Sequence, residues 1–426
     1  MPSETIFALS SGAPPAAISI IRISGSDAHA AAASLAGPLP PPRQAAVRHL
    51  RDKQGAILDE ALVLRFDGPS SSTGEDLVEF HCHGGRAVVA AVTAALGSIN
   101  GLRAAAPGEF TRRAFENGRI DLTEAEGLGD LIEAETESQR RAALLMAEGG
   151  LRREIEAWRA RLLELSARAE AAIDYVDDDS VDADPQLSRD CGALADNLKD
   201  RLSRPSAEPL REGVRVVIAG PPNSGKSSLL NALVGYDRAI VTDIPGTTRD
   251  HVEVPIALAG VPVRLTDTAG LRESGELVEQ MGVERARRLV ELADILVWLG
   301  ESGHSPAHAN LIRVHSRTDL PGRDRAPDGT IAVSAKTGSG LRELSNAIEA
   351  TARNLLPAEG ELAFNRRQSA CISDTERFLR EAQDAGDLVL VAESLRQARG
   401  AFDRLTGRAG VEDLLDELFG RFCLGK

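Results

Sequence analysis

Val214–Ala219 (VRVVIA) runs directly into Gly220-Pro221-Pro222-Asn223-Ser224-Gly225-Lys226-Ser227, and Ser228–Val234 (SLLNALV) follows. The apolar run, interrupted only by Arg215, predicts a buried strand, and the second apolar stretch predicts a helix. Between them lies the spacing GxxxxGK[ST] in the strand–loop–helix context that gives it meaning. The glycines let successive backbone N–H groups turn toward phosphate oxygens, and the helix N-terminus adds its dipole. Lys226 is expected on the β- and γ-phosphates and the Ser227 hydroxyl on Mg²⁺. Asn223, Ser224, Gly225 and Ser228 complete this phosphate side.

Further elements follow in the order such a domain requires. In the polar segment Gly246-Thr247-Thr248-Arg249-Asp250, a threonine, Thr248, can complete Mg²⁺ coordination and sense the γ-phosphate. A hairpin-like pair, His251–Leu258 and Val261–Thr266 turning at Ala259-Gly260, delivers Asp267-Thr268-Ala269-Gly270. Asp267 reads as the metal-holding acid, and the Gly270 N–H as a γ-phosphate contact. A hairpin followed by this tetrapeptide points to GTP rather than ATP. Asp319, after the strand Leu311–Val314, is placed to grip the guanine N1 and N2 hydrogens. Ser334-Ala335-Lys336, after the strand Ile331–Val333, closes over the base. Ras-like enzymes orient the attacking water with a glutamine directly after the tetrapeptide. Here that residue is Leu271, so Glu276, Glu279 and Glu284 are the candidates for the task.

Around this α/β segment the chain changes character twice. At 426 residues it has room for two or three domains. Residues 1–118 alternate short β-like runs (Ala17–Ile23, Ala61–Phe66, Leu77–His81) with a helix at Ala87–Leu96, predicting an α+β domain. From Leu122 the pattern is helical, with Leu151, Ile155, Trp158, Leu162, Leu165, Ala169 and Ile173 on one face of a long helix. The acidic stretch Asp174–Gln186 interrupts it as a solvated loop, and Pro205 and Pro209 mark a boundary. Beyond Pro357 helices return at Ser369–Ala385, Asp387–Thr406 and Val411–Phe422. The expected fold is therefore multidomain: an N-terminal α+β domain, a discontinuous helical bundle (119–210 and 356–426), and an inserted α/β P-loop, Ras-like domain (211–355).

The net charge of −15, from 49 basic and 64 acidic residues, argues against a wholly basic nucleic-acid-coating surface. The arginine pairs at 112–113, 140–141 and 152–153 read equally as solvated helix faces or as part of a nucleic-acid-binding surface. Four cysteines without a CxxC pair suit a reduced, cytoplasmic protein, and no signal peptide or membrane span is expected. His81-Cys82-His83 invites a zinc reading, but strand alternation sends Cys82 to the side opposite both histidines.

Taken together, these residues resemble the MnmE (TrmE) family of tRNA-modification GTPases. The resemblance spans the whole chain through Gly246–Asp250, Asp267-Thr268-Ala269-Gly270-Leu271-Arg272-Glu273-Ser274, Arg22-Ile23-Ser24-Gly25, Thr73-Gly74-Glu75-Asp76, Pro107-Gly108-Glu109-Phe110 and the terminal Phe422-Cys423-Leu424-Gly425-Lys426. It implies a homodimer joined through an N-terminal domain that binds a 5-formyl- or 5,10-methylene-tetrahydrofolate. Arg22, Glu79, Arg119 and Lys426 fall at the folate-contacting positions, although lysine is more usual where Arg119 stands. It implies GTP hydrolysis driven by dimerisation of the nucleotide domains and by K⁺, held by the Asn223 side chain and the backbone of Thr242, Ile244 and Thr247. Asp243, Pro245 and Gly246 belong to the same loop, and Glu279 matches the water-orienting glutamate. Cys423 matches the family's functional cysteine, with Arg421 and Lys426 nearby to favour its thiolate. With the FAD-containing partner MnmG (GidA), the family adds an aminomethyl or carboxymethylaminomethyl group to C5 of the wobble uridine of certain tRNAs.

Two features depart from the family pattern. The usual base-reading motif NKxD is Ser316-Arg317-Thr318-Asp319 here. Losing the asparagine amide removes hydrogen bonds to loops and base, about 1 kcal/mol each, so weaker nucleotide affinity with retained guanine preference is expected. Only residues 301–310 separate the strand Ile295–Leu299 from the strand at Leu311, so the usual crossover helix is expected to be truncated or absent and one sheet face exposed or covered by a neighbouring domain. The alternatives to this reading are an RNA-binding assembly GTPase acting purely as a switch, and a P-loop kinase or ATPase, which Asp267–Gly270 and Asp319 disfavour.

Overall fold

The computed structural model describes residues 4–174, 185–236, 253–268, 287–300, 305–323, 325–409, 412–420, 422 and 425. They form two units, 1–129 with 403–426, and 130–402.

In the first unit, β-rich runs build a six-stranded sheet: β1 Thr5–Leu9, β2 Ile18–Ser24, β3 Ala45–Arg51, β4 Ile57–Phe66, β5 Leu77–His83 and β6 Leu102–Ala104. Their spatial order is β3-β4-β5-β2-β1-β6. All pairings are antiparallel except β1 with β6. Alternation decides the faces. Ile21, Ile23, Ala61, Val63, Val78, Phe80 and Cys82 point to one side and pack with residues of the helices Ala28–Ala36 and Arg86–Gly97. The other side carries Ile18, Val47 and Leu62, which are 59%, 56% and 36% exposed. The helix Glu412–Gly420 contributes Leu415 and Phe419 to a small core with Leu122, Ala125 and Phe422.

The second unit holds the inserted α/β segment. Its sheet comprises β7 Val214–Ala219, β8 Glu253–Leu258, β9 Val261–Asp267, β10 Ile295–Trp298, β11 Leu311–Ser316 and β12 Ile331–Val333. The order is β12-β11-β10-β7-β9-β8, parallel apart from the β8–β9 hairpin. Val216, Ile218, Val263 and Ile295 form one core with Leu229 and Leu233 of the helix Lys226–Tyr236 and Leu344 and Ile348 of the helix Leu341–Arg353. On the opposite face, no helix joins β10 to β11 among the described residues. That face is nevertheless closed at its centre: Val217, Ala219 and Leu296 are buried against Leu289, Val290 and Ala293, whereas Trp298 and Leu311 remain partly exposed. The preceding connection thus covers the centre of the face, and a cavity of about 770 Å³ lined by Val290, Trp298 and Pro306 stays open beside it.

Helices flank this segment in sequence on both sides. The long helix Gly150–Asp174 buries Leu151, Ile155, Trp158, Leu162, Leu165 and Ala169, the face set by their spacing. The helix Pro185–Leu202 lies along Arg366–Asp384, where Gly192 leaves room for the Gln383 side chain and the Ser188 hydroxyl donates to the Gln383 carbonyl at 2.6 Å. Trp158 packs against Phe364 and Phe402 and donates its indole N–H to Asn197 at 2.8 Å. The acidic stretch at 175–184 lies outside the described residues.

Candidate functional site

β7 lies at the middle of its sheet, and the loop leaving its C-terminal end is where ligands of open parallel sheets bind. Asn223 and Gly225 have φ of 57° and 96°. The left-handed backbone is tolerable for asparagine and natural for glycine. The Lys226 side chain is buried and donates to the carbonyls of Gly220 at 3.1 Å and Pro221 at 3.0 Å. The Ser227 hydroxyl donates to Asp267 at the end of β9. Thr268 donates to the Ile218 carbonyl at 3.2 Å, which keeps this acid-bearing strand end against β7. A hydroxyl and a carboxylate side by side are the hard oxygen donors that suit Mg²⁺. The Ser224 Oγ is buried without a hydrogen-bond partner among the described residues, a polar group that a phosphate-bearing ligand would satisfy.

The base side opens next to this loop. A cavity of roughly 270 Å³ is lined by Gly225, Ser228, Arg317, Asp319, Ala335 and Lys336, among others. The Ser334 hydroxyl donates to Asp319 Oδ1 at 2.7 Å and accepts the Thr337 N–H at 3.2 Å. That hydrogen bond, with smaller help from Lys336 and Arg317, holds the Asp319 carboxyl below its ordinary value against a modest desolvation. An ionised carboxylate facing a purine-sized space is what guanine N1–H and N2–H require. Ser316 revises one expectation. Its buried hydroxyl donates to the Ser224 carbonyl at 2.7 Å, so a link between the base-reading and phosphate loops exists without the asparagine.

Several expected residues lie outside the described ones: Thr242, Asp243, Ile244, Pro245, Gly246, Thr247, Thr248, Ala269, Gly270, Leu271, Glu276, Glu279, Glu284, Cys423 and Lys426. The described site residues on the nucleotide side converge at one end of one sheet.

In the first unit, Arg22 and Glu79 are cross-strand partners on β2 and β5. The Arg22 guanidinium donates twice to Glu79 Oε1, at 3.0 and 2.8 Å, and stands 5.7 Å from the centre of the Phe110 ring. His81 approaches the other Glu79 oxygen at 3.3 Å. Arg119 is exposed, with its stem beside Gly74. Nearby sits a residue misjudged from sequence. Arg113, read as part of a solvated face, is buried, paired to Glu75 at 2.9 Å and Glu109 at 3.1 Å, and donates to the Glu4 carbonyl at 2.7 Å. The Glu109–Arg113 spacing of four was the signal that one face of a short helix is internally paired. Ser24 and Thr73 share a 2.7 Å hydrogen bond, and Ser24 also donates to Glu75, tying the 73–76 loop to β2. Cys82 points into the core, on the side of β5 opposite His81 and His83, which removes it from the zinc reading, and burial, with the Asp59 charge, pushes its thiol up to about 12. At the other end of the chain, Gly425 lies so close to the Leu9 carbonyl that a side chain there would collide with it.

A parallel sheet of this order, a glycine loop with Lys226, the Ser227–Asp267 pair and the Asp319 cavity together define a P-loop GTPase fold. A family model described as "GTP-binding protein TrmE N-terminus" matches residues 5–119, and one described as "MnmE helical domain" matches residues 122–423. A tRNA modification GTPase MnmE of Novosphingobium aromaticivorans is 53% identical over 436 residues, spanning 100% of both chains. Those of Erythrobacter litoralis and Rhizobium meliloti are 53% and 44% identical, over 99% and 100% of this chain and 100% and 99% of their own. The chain belongs to the MnmE family.

Proposed function

We propose that this chain is a GTP hydrolase that takes part in the modification of wobble uridine in tRNA. The observation that carries the nucleotide half is the Asp319 carboxylate, held ionised beside a base-sized cavity that adjoins the phosphate loop. The tRNA half rests on membership of the family.

In this reading residues 211–355 are the GTPase domain, 119–210 with 356–426 the helical domain, and 1–118 the folate-binding and dimerisation domain. Lys226 and Ser227 engage the phosphates and Mg²⁺. Glu279 orients the water, the task that Leu271 cannot perform. A K⁺ ion held by Asn223 and the carbonyls of Thr242, Ile244 and Thr247 offsets negative charge on the phosphates. The apolar open face carrying Ile18, Val47 and Leu62 supports a homodimer formed through the first unit, since exposed apolar patches mark interaction surfaces. Glu79 gathers Arg22 and His81 on its two oxygens, the acceptor role that pterin N–H groups would use. Modification chemistry then proceeds with a tetrahydrofolate one-carbon donor, the FAD protein MnmG and Cys423.

The test is phosphate release from GTP by the purified chain in potassium and in sodium, together with Glu279→Ala. Rates at least tenfold higher in potassium, and a comparable drop in the variant, are expected. Equal rates in the two cations would remove the potassium mechanism, and an active Glu279→Ala would remove the water assignment.

A further inference from the structure

Ser316 ends β11, and its hydroxyl reaches across 92 residues of sequence to the carbonyl of Ser224. We infer that Ser316 is a positioning residue that fixes the phosphate loop from the base side, and that doing so uses up its capacity to read the base. This rests on the guanine-nucleotide reading above.

The peptide joining Ser224 to Gly225 is planar, so its carbonyl and N–H point in opposite directions. Holding the Ser224 carbonyl toward Ser316 therefore aims the Gly225 N–H the other way, in the stretch whose N–H groups serve phosphate. Gly225 has φ of 96°, a conformation in which other residues would resist that orientation. Arg317, itself left-handed at φ 61°, brings its Nε within 3.5 Å of where a Gly225 side chain would begin.

A serine hydroxyl has one hydrogen. At 2.7 Å from the Ser224 oxygen that hydrogen is committed, so Ser316 has none to offer guanine N7 or O6, which are acceptors. An asparagine amide has two and could serve loop and base together. Guanine readout in this chain then falls to Asp319 and the 334–336 loop, which are themselves joined by the Ser334 hydroxyl. Two serine hydroxyls thus link three loops, with Ser316 setting affinity and Asp319 setting base choice.

The experiment measures Kd for fluorescent GDP, and kcat and KM for GTP, for the wild-type chain and for Ser316→Ala, Ser316→Thr and Ser316→Asn. Loss of one such bond predicts about a fivefold rise in Kd for Ser316→Ala, appearing in KM more than in kcat. Ser316→Thr keeps the hydroxyl and should restore wild-type binding, which separates the hydroxyl's role from mere packing. Ser316→Asn should bind about fivefold more tightly than wild type. Should Ser316→Ala fail to fold, the threonine and asparagine variants decide the matter. Unchanged affinity in Ser316→Ala, no rescue by threonine, or no gain with asparagine would overturn the inference. Wild-type preference for GTP over ATP, measured in the same assay, stands or falls separately and tests the underlying reading.

Discussion

At Asp319 the surroundings determine both charge and function. Its hydrogen bond from Ser334, chiefly, holds the carboxyl below the ordinary aspartate value. The sign follows: a lowered value means the carboxylate is fully present above the ordinary aspartate range and is lost only as pH falls below it. Guanine preference should therefore persist on acidification to about pH 5, which a competition between GTP and ATP across pH would check. Asp319→Asn replaces an acceptor by a donor, which faces guanine's N1 and N2 hydrogens wrongly but suits the C2 oxygen of xanthine. Two charge-assisted bonds at about 1.5–3 kcal/mol each predict at least a tenfold loss of GTP affinity and a gain for xanthosine triphosphate. Retained GTP binding would show that Asp319 does not read the base. The thiols make a simpler case. Burial, mainly, pushes Cys82 up to about 12 and Cys191 up to about 11, so both stay as neutral thiols at pH 8. Neither should react with iodoacetamide until the chain is unfolded, and rapid labelling of either, read by peptide mass, would contradict their burial. At this scale the motif residues were legible, because spacing alone constrains a phosphate loop. Ser316 was not, because its partner lies 92 residues away, and for Arg113 the spacing from Glu109 displayed the pairing but not the burial.

Elements were readable where one physical signal dominates. Ala259-Gly260 predicted a tight hairpin, and both residues have positive φ, 45° and 85°, in a two-residue turn between Leu258 and Val261. The apolar strand β7 announced itself as a buried run, and all its residues but Arg215 are buried. The edge strand Ala45–Arg51 did not, because Arg48, His49 and Arg51 dilute its pattern and the strand buries only Leu50. The β10–β11 connection shows the limit of local reasoning. Its shortness was correctly legible and its consequence only in part, since Leu289, Val290 and Ala293 from another connection cover the centre of the sheet face while a cavity stays open beside Trp298. Gly340 gives this scale its prediction. It starts the helix Leu341–Arg353 with φ of 74°, and a side chain would stand 1.9 Å from the Ala332 carbonyl oxygen at the end strand β12. Gly340→Ala should destabilise the nucleotide-binding segment by on the order of 3 kcal/mol, visible as a lower urea midpoint. An unchanged midpoint would mean that the helix start can shift freely.

For the whole molecule, charge and surface point in different directions. A net −15 disfavours binding along the length of RNA, yet the first unit exposes Ile18, Val47 and Leu62 on one sheet face. If that face joins two copies, Leu62→Asp with Val47→Asp should convert a dimer to a monomer by light scattering, because two charges would be buried unpaired. A persistent dimer would place the interface elsewhere. The α+β character of the first unit was legible in its strand runs. Its proposed folate role was not, since Arg22 and Glu79 look like any surface pair until a family resemblance singles them out. The nucleotide-binding segment needed no such help, because its chemistry is written in consecutive residues. Guanine readout by Asp319 is tested most directly by one measurement on the purified chain: phosphate release from GTP against ATP at equal concentration in potassium buffer. It predicts hydrolysis of GTP with ATP turned over at least tenfold more slowly. Equal turnover of both, or of ATP alone, would contradict it.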